Sequence, residues 1–423
     1  MDLHSTPVVL TAAAVATMAG SGDPRDVVTA REGADYGLIR GAAVVVEGTR
    51  VAWVGPADLV PDRYRGARSE PLGDRLITPG LVECSTHLLF AGDRRGDFAA
   101  RAAGQRREDP GPGGIGVTAA ATAAATDEEL LQAGLNRAWW FIRQGVTTLE
   151  VKTGYGLTPE SELRLLRIAG RLRDALPIRV QLTLLAGHTY PADVDPDDYI
   201  MDICDNLLPA AIAQGNVDYV EVYCEETAGI SMEHASTILE TVYRRKVPTR
   251  VSADHLSDSA GGALAPAFYS KVASHLNFTD DIAVKAMGRA GTTAVLLPAS
   301  ALEAGAAEQR PPIDLLRDSL VPLAISTGFN PGTAPLADLR TAAHLGCILF
   351  GLTLPEAIRG ITSVAAHALA LDDGAGTIVA GGPADFAIWD VDHPEELVYW
   401  VGAPTCYQAW SAGKPVHRDG GVR

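Results

Sequence analysis

DEELLQAGLNRAWWFIR, QG, VTTLEV, KTGYGL, TPESELRLLRIAGRLRD: so the chain runs from Asp127 to Asp174. The first block, Asp127–Arg143, has the spacing of an amphipathic helix, and Gly145 ends it. Val146–Val151 reads as a short buried strand. A polar loop follows, then a second helix over Pro159–Asp174, capped by Thr158 and opened by Pro159. The alternation repeats on both sides. Apolar runs fall at Gly80–Glu83, Val146–Val151, Ile178–Leu185, Val217–Tyr223, Val247–Val251, Lys271–Ala273, Thr293–Leu297 and Pro322–Ile325. Eight short buried strands separated by helices predict a parallel (β/α)8 TIM barrel of the α/β class. An open doubly wound sheet is the competing arrangement. It normally carries a glycine-rich fingerprint after its first strand, and none is present.

Outside this region the helical period disappears. Val44–Gly55 reads as two strands around a Glu47-Gly48-Thr49 turn, and Val8–Ala19 as a first strand and turn. A second β-rich region begins near Gly376 and includes Asp385–Trp389 and Tyr399–Trp410. The two ends are expected to pair into one small β-sandwich domain, from residues 1–77 and 373–423, beside a barrel spanning 78–372. The 423 residues are 47% hydrophobic, enough for a large core plus a small one, since single cores stop growing near roughly 250–300 residues. The formal net charge of −17 repels phosphate backbones and anionic lipid heads, so neither nucleic acid nor membrane is an expected partner. Five cysteines without metal-ligand spacing fit a reduced, cytoplasmic protein. No run approaches the roughly 20 apolar residues of a membrane span.

In a TIM barrel the functional groups follow the C-terminal ends of the strands. After the first strand come Cys84, Ser85, Thr86 and His87, with Arg94 beyond. Lys152 and Tyr155 follow the second, His188 the third, and Glu225 and Glu226 the fourth. Ser252, Asp254 and His255 follow the fifth, His275 closes the sixth, and Ser326, Gly328 and Asn330 follow the eighth. One histidine at a strand end is more often a satisfied hydrogen-bonding group than a catalyst. Four of the ten on one rim (His87, His188, His255 and His275) argue for a ligand site, because buried polar groups cost about 1–3 kcal/mol if unpaired. Glu225 and Glu226 read as structural or surface groups. The cysteines read as packing residues, with Cys84 alone placed to face a pocket.

A resemblance enters with the motifs themselves. ITPGLVECSTHLLFAGDR (Ile77–Arg94), GVTTLEVKTGYGL (Gly145–Leu157), LLAGHTYP (Leu184–Pro191), VYCEE (Val222–Glu226), SADHLSDSAGGA (Ser252–Ala263), ASHLNF (Ala273–Phe278), AVLLPA (Ala294–Ala299), GFNPGTAP (Gly328–Pro335) and ADFAIWDVDHPEEL (Ala384–Leu397) resemble, in order, the imidazolonepropionase family of the amidohydrolase superfamily. The resemblance implies an amidohydrolase-type barrel and a homodimer. It implies hydrolysis of a ring amide in an imidazolone bearing a propionate arm, with one zinc or iron ion activating water. The implied ligands are a His-x-His after the first strand, a His after the fifth and an Asp after the eighth. Those positions hold Ser85, His87, Ser252 and Gly328 here, so three of the four cannot bind a metal well. Other implied positions are kept. Arg94 matches the carboxylate-gripping arginine, Tyr155 and His188 match substrate contacts, Asp254 and His275 match polar residues beside the reaction centre, and Asn330 keeps its place. His255 replaces an acidic or amide residue. A tyrosine implied near Gln105–Glu108 is absent, with Arg107 close to its place.

Zinc lowers the pKa of bound water from about 15.7 to about 7. That is worth roughly 12 kcal/mol at about 1.36 kcal/mol per unit. A histidine base supplies only about 10²–10⁴-fold. The residues therefore point to a metal-independent, cofactor-free enzyme that moves protons on a small carboxylate-bearing nitrogen heterocycle or its open-chain precursor. Its reaction would be cyclisation, dehydration, isomerisation or ring C–N cleavage. In this reading His275, His255 and Asp254 are the catalytic groups, and Arg94, Tyr155, His188, His87, Asn330, Ser85 and Ser252 bind substrate, with Ser326 a further hydrogen-bond donor. Three alternatives stay open. One is a cyclic-amide hydrolase with a zinc or iron ion rearranged onto His87, His255, His275 and Asp254. Another is a serine nucleophile, Ser85 or Ser252. The last is a catalytically inactive protein that only binds a small carboxylate.

Overall fold

The computed structural model describes residues 6–20, 36–104, 114–303 and 309–418. Five strands precede the barrel: β1 (Val8–Ala16), β2 (Leu38–Glu47), β3 (Arg50–Pro56), β4 (Arg68–Pro71) and β5 (Leu76–Pro79). The barrel strands are β6 (Leu81–Glu83), β7 (Val146–Lys152), β8 (Arg179–Leu185), β9 (Tyr219–Cys224), β10 (Thr249–Ala253), β11 (Val272–His275), β12 (Thr293–Leu296) and β13 (Leu323–Ile325). All lie within two residues of their predicted bounds. They pair in parallel in sequence order from β6 to β13. A parallel bridge between Thr86 and Phe329 links the loops after β6 and β13, and the His87 N–H donates to the Phe329 carbonyl at 2.8 Å. The cylinder is thereby drawn nearly closed at the end where the functional loops sit.

Six of the eight strands are buried along their whole length, as all seven residues of β7 are, while β8 is partly exposed at Arg179 and Gln181 and β11 at His275. Their alternation separates two environments. Val222 pairs with Val251 toward the helices, while Glu221 pairs with Arg250 and Tyr223 with Ser252 toward the axis. The intervening helices begin where the sequence places them. Asp127–Ile142 starts with a capping box, Thr126 Oγ1 accepting from Glu129 N and Glu129 accepting from Thr126 N. Pro159–Ala175 is capped by Thr158. Among the described residues no helix is long and apolar enough to cross a membrane.

Both chain ends enter one mixed sheet with β14 (Phe386–Trp389), β15 (Cys406–Ser411) and β16 (Lys414–Arg418), in the order β16-β15-β14-β5-β1-β2-β3, with β4 also on β1. Its two faces are apolar: Leu10, Val44 and Phe386 on one, Val9, Ala43 and Val45 on the other, where Tyr64 packs against them. One expected segment differs. Glu396–Tyr399 is a short helix and the strand begins only at Cys406. The aromatic pair Tyr399–Trp400 stacks edge-on at 4.6 Å and is largely exposed, so it has no sheet to pack in. The sheet meets the barrel at the start of β7, where Trp389 and Ala387 lie against Gly145. That is the end of β7 opposite the functional loops.

Candidate active site

A cavity of about 280 Å³ opens at the C-terminal ends of the strands. All eight strands or their loops supply lining: Ser85 and His87, Lys152 and Tyr155, His188, Glu221 and Tyr223, Ser252 and His255, His275, Ser300, and Gly328 with Asn330. The four rim histidines converge on it. Ring contacts link them in one wall, His87 to His188 at 5.4 Å, His188 to Tyr223 at 5.9 Å, Tyr223 to His275 at 6.1 Å and His275 to His255 at 3.9 Å. Tyr155 faces both His87 and His188. Such a wall of flat rings favours a flat ligand.

The floor is ionic. Lys152 Nζ lies 2.7 Å from Glu221 Oε2 and 3.0 Å from Ser85 Oγ, and Ser252 Oγ donates to the other Glu221 oxygen at 2.6 Å. β7 and β9 are not neighbours, so the Lys152–Glu221 pair spans the barrel interior. Behind it the buried Arg250 donates to the Cys84 carbonyl at 2.7 Å and stands 3.3 Å from Glu221. Two cations thus face two buried carboxylates, Glu221 and Glu150. Glu83 lies under Ser85 and accepts from Ser326, Thr327 and the Ser85 N–H. Burial pushes its carboxyl up to about 7 against those bonds.

Charge is unwelcome on the histidine wall. Burial, then the neighbouring His188 and Lys152, holds His87 well below its ordinary value. His275 is held down by burial, His255, Lys152 and His87. His188 falls to about 4, chiefly through burial. Its Nδ1 donates to the Gly154 carbonyl at 2.8 Å, which leaves Nε2 as the acceptor. His255 is held at both ends, by the Tyr223 hydroxyl at 3.0 Å and the Ser300 hydroxyl at 3.1 Å. His275 differs. It lines the cavity, and among the described residues nothing hydrogen-bonds its ring nitrogens. It sits in left-handed backbone at φ +70°, followed by Leu276 at +63°, which for non-glycine residues costs of order 1–3 kcal/mol each.

Three expected residues are placed differently from the sequence reading. Asp254 does not line the cavity. Its carboxylate accepts from the N–H groups of Ser259, Gly261 and Gly262 and from Thr279 Oγ1, so it pins the loop after β10. The left-handed φ of +52° at Asp254 turns it that way. Arg94 does line the cavity, but Asp97 occupies its Nε and one Nη edge and the Gly114 carbonyl takes a third donor at 2.6 Å. Among the described residues two of its five N–H groups remain without a partner. Cys84 packs with Val82, Val272 and Val295, away from the cavity. Asn330 lines the cavity while its amide ties Gly328, Gly332 and Thr333 together. Glu225 is structural as expected, accepting from the His255 and Leu256 N–H groups. Arg107 lies outside the described residues. The sequence reading missed Glu221, Tyr223 and Ser300, and left Lys152 without a role. A charged residue inside the apolar run YVEVYC was the available signal for Glu221.

The donor set does not suit the four-ligand ion that the family resemblance implies. Ser85 and Ser252 are tied to Lys152 and Glu221, Gly328 has no side chain, both nitrogens of His255 are engaged and Asp254 points away. Among the described residues no three His, Cys, Asp or Glu side chains are grouped to hold a metal ion.

No family model matches the chain. Individual relatives do. It is 40% identical over 398 residues to the imidazolonepropionase of Maricaulis maris (strain MCS10), covering 93% of this chain and 95% of that protein. It is 43% identical over 368 residues to that of Cupriavidus necator, covering 86% and 88%. Among solved structures, an A. niger ochratoxinase superposes with a TM-score of 0.70 at 17% identity, covering 99% of this chain and 97% of that one. A zinc-containing mutant atrazine chlorohydrolase from Arthrobacter aurescens TC1 also gives 0.70, at 15% identity over 97% and 95%. These two share the fold. The ordered motifs, the barrel with its terminal sheet and the identity over nearly the full length agree, and the chain belongs to the imidazolonepropionase family.

Proposed function

We propose that the cavity takes a small, flat, carboxylate-bearing nitrogen heterocycle, or its open-chain precursor, and that His275 moves protons on it without a metal ion. The observation that carries this reading is the position of His275, a neutral imidazole on the cavity with nothing among the described residues bonded to its nitrogens, at a rim whose ligand positions hold two serines and a glycine. A neutral imidazole can take a proton at neutral pH. The imidazolium it becomes, poorly solvated beside His255 and Lys152, is a strong acid and returns the proton readily. His255, fixed by Tyr223 and Ser300, holds the His275 ring by stacking. Tyr155 stays a neutral phenol, because burial raises its pKa, and its hydroxyl remains a donor. The two remaining Arg94 N–H groups meet the substrate carboxylate. Asp254 acts through the loop that carries His255 and is a positioning residue.

The proton balance covers each reaction type. Dehydration or ring closure by condensation releases one water, isomerisation returns the proton to another atom of the same molecule, and hydrolytic ring C–N cleavage consumes one water. The test uses an imidazolone bearing a propionate arm, assayed with chelator-treated protein. His275→Ala should retain the melting temperature and lose about 10²–10⁴-fold in kcat. Full activity in that variant would refute the role of His275. Dependence of the wild type on a restored transition ion would refute the metal-free chemistry.

A further inference from the structure

We infer that Lys152 is a catalytic residue whose ammonium donates a hydrogen bond to the substrate oxygen on which negative charge develops. The inference deepens the proposed function and rests on it. An ammonium has three N–H donors. Ser85 Oγ takes one at 3.0 Å and Glu221 Oε2 another at 2.7 Å, while Glu150 at 3.7 Å is too far for a third bond. Among the described residues one donor therefore remains without a partner, on a side chain that lines the cavity. Its anchors matter as much as its charge. Ser85 holds it directly, and Ser252 holds it through Glu221. These are two of the positions where the family resemblance implies metal ligands, so the cation stands among the residues that replaced them. A bulkier imidazole at Ser85 would displace the hydroxyl on which the ammonium rests. The charge is buried, with the side chain 2% exposed, and fixed by bonds made before any ligand arrives. A preorganised donor of that kind stabilises developing charge without reorganisation, and removing one costs about 10²–10³ in kcat.

The test compares two probes by calorimetry on chelator-treated protein: hydantoin-5-propionate, which has ring carbonyl oxygens, and imidazole-4-propionate, which has none. The wild type should prefer the hydantoin by roughly 10- to 100-fold, the range of a hydrogen bond to a charged group. Lys152→Met should abolish the preference while still binding imidazole-4-propionate, and should lower kcat/KM for the imidazolone. That variant leaves Glu221 without its nearest cation, so Lys152→Met with Glu221→Gln supplies the same comparison in a neutral floor. A merely structural lysine would weaken both probes alike. A preference that is absent in the wild type, or that survives in both variants, overturns the role of Lys152 and leaves the proposed function standing. Failure of the wild type to bind either probe overturns the proposed function and this inference together.

Discussion

His255 and His275 stack 3.9 Å apart, yet of the two only His275 has nitrogens unbonded among the described residues. A residue's value to the site is therefore set by what its neighbours leave unsatisfied. The same logic makes the histidines sensors of acid. The folded value of His188 is about 4 against an ordinary 6.5, so the unfolded chain protonates first as pH falls. The stabilising contribution of this group is complete above about pH 6.5 and is lost progressively as pH falls toward 4. His188→Gln removes that ionisation. In urea unfolding, the stability lost between pH 6.5 and pH 5 should shrink by about 2 kcal/mol in the variant. An unchanged pH dependence would mean that His188 titrates normally.

At the scale of elements, β10 is followed by a left-handed residue, Asp254, and β11 ends in one, His275, where ordinary strands would run on extended. The bends carry the following loops back over the barrel mouth, and the four bonds to the Asp254 carboxylate hold one of them there. At the opposite end of the barrel the demand is for space. Gly145 has φ +87°, and a Cβ there would meet the Trp389 ring at 2.6 Å and the Ala387 Cβ at 3.1 Å. Gly145→Ala combines an unfavourable left-handed backbone with overpacking, and should cost about 2–4 kcal/mol. A thermal melt would show it. A stability within about 0.5 kcal/mol of wild type would mean that the terminal sheet rides loosely on β7.

The whole molecule carries a net charge of −17, much of it on exposed carboxylates, so like charges repel in the compact state. Raising salt from about 0.01 to about 0.15 M shortens the screening length from about 30 to about 8 Å. The melting temperature should rise over that range, and a fall would show that attractive surface ion pairs outweigh the repulsion. Architecture at this scale was legible early. Eight buried runs of the right length, helix caps at Thr126 and Thr158 and ordered motifs led to the barrel and the family, because period, capping and strand length are local properties. Rim membership followed, since a residue just past a barrel strand has few other places to go, and His87, His188, His255 and His275 do converge. What each rim residue does there was decided in three dimensions. One backbone angle turns Asp254 away from the cavity. Asp97 occupies one edge of Arg94, the residue matched to the carboxylate grip. The Lys152–Glu221 bond joins residues 69 positions apart on non-adjacent strands, and the Lys152–Ser85 bond joins residues 67 positions apart on β7 and the loop after its neighbour β6. Periodicity reports which way a side chain leaves its own strand. Only closure of the barrel brings it to a partner across the axis.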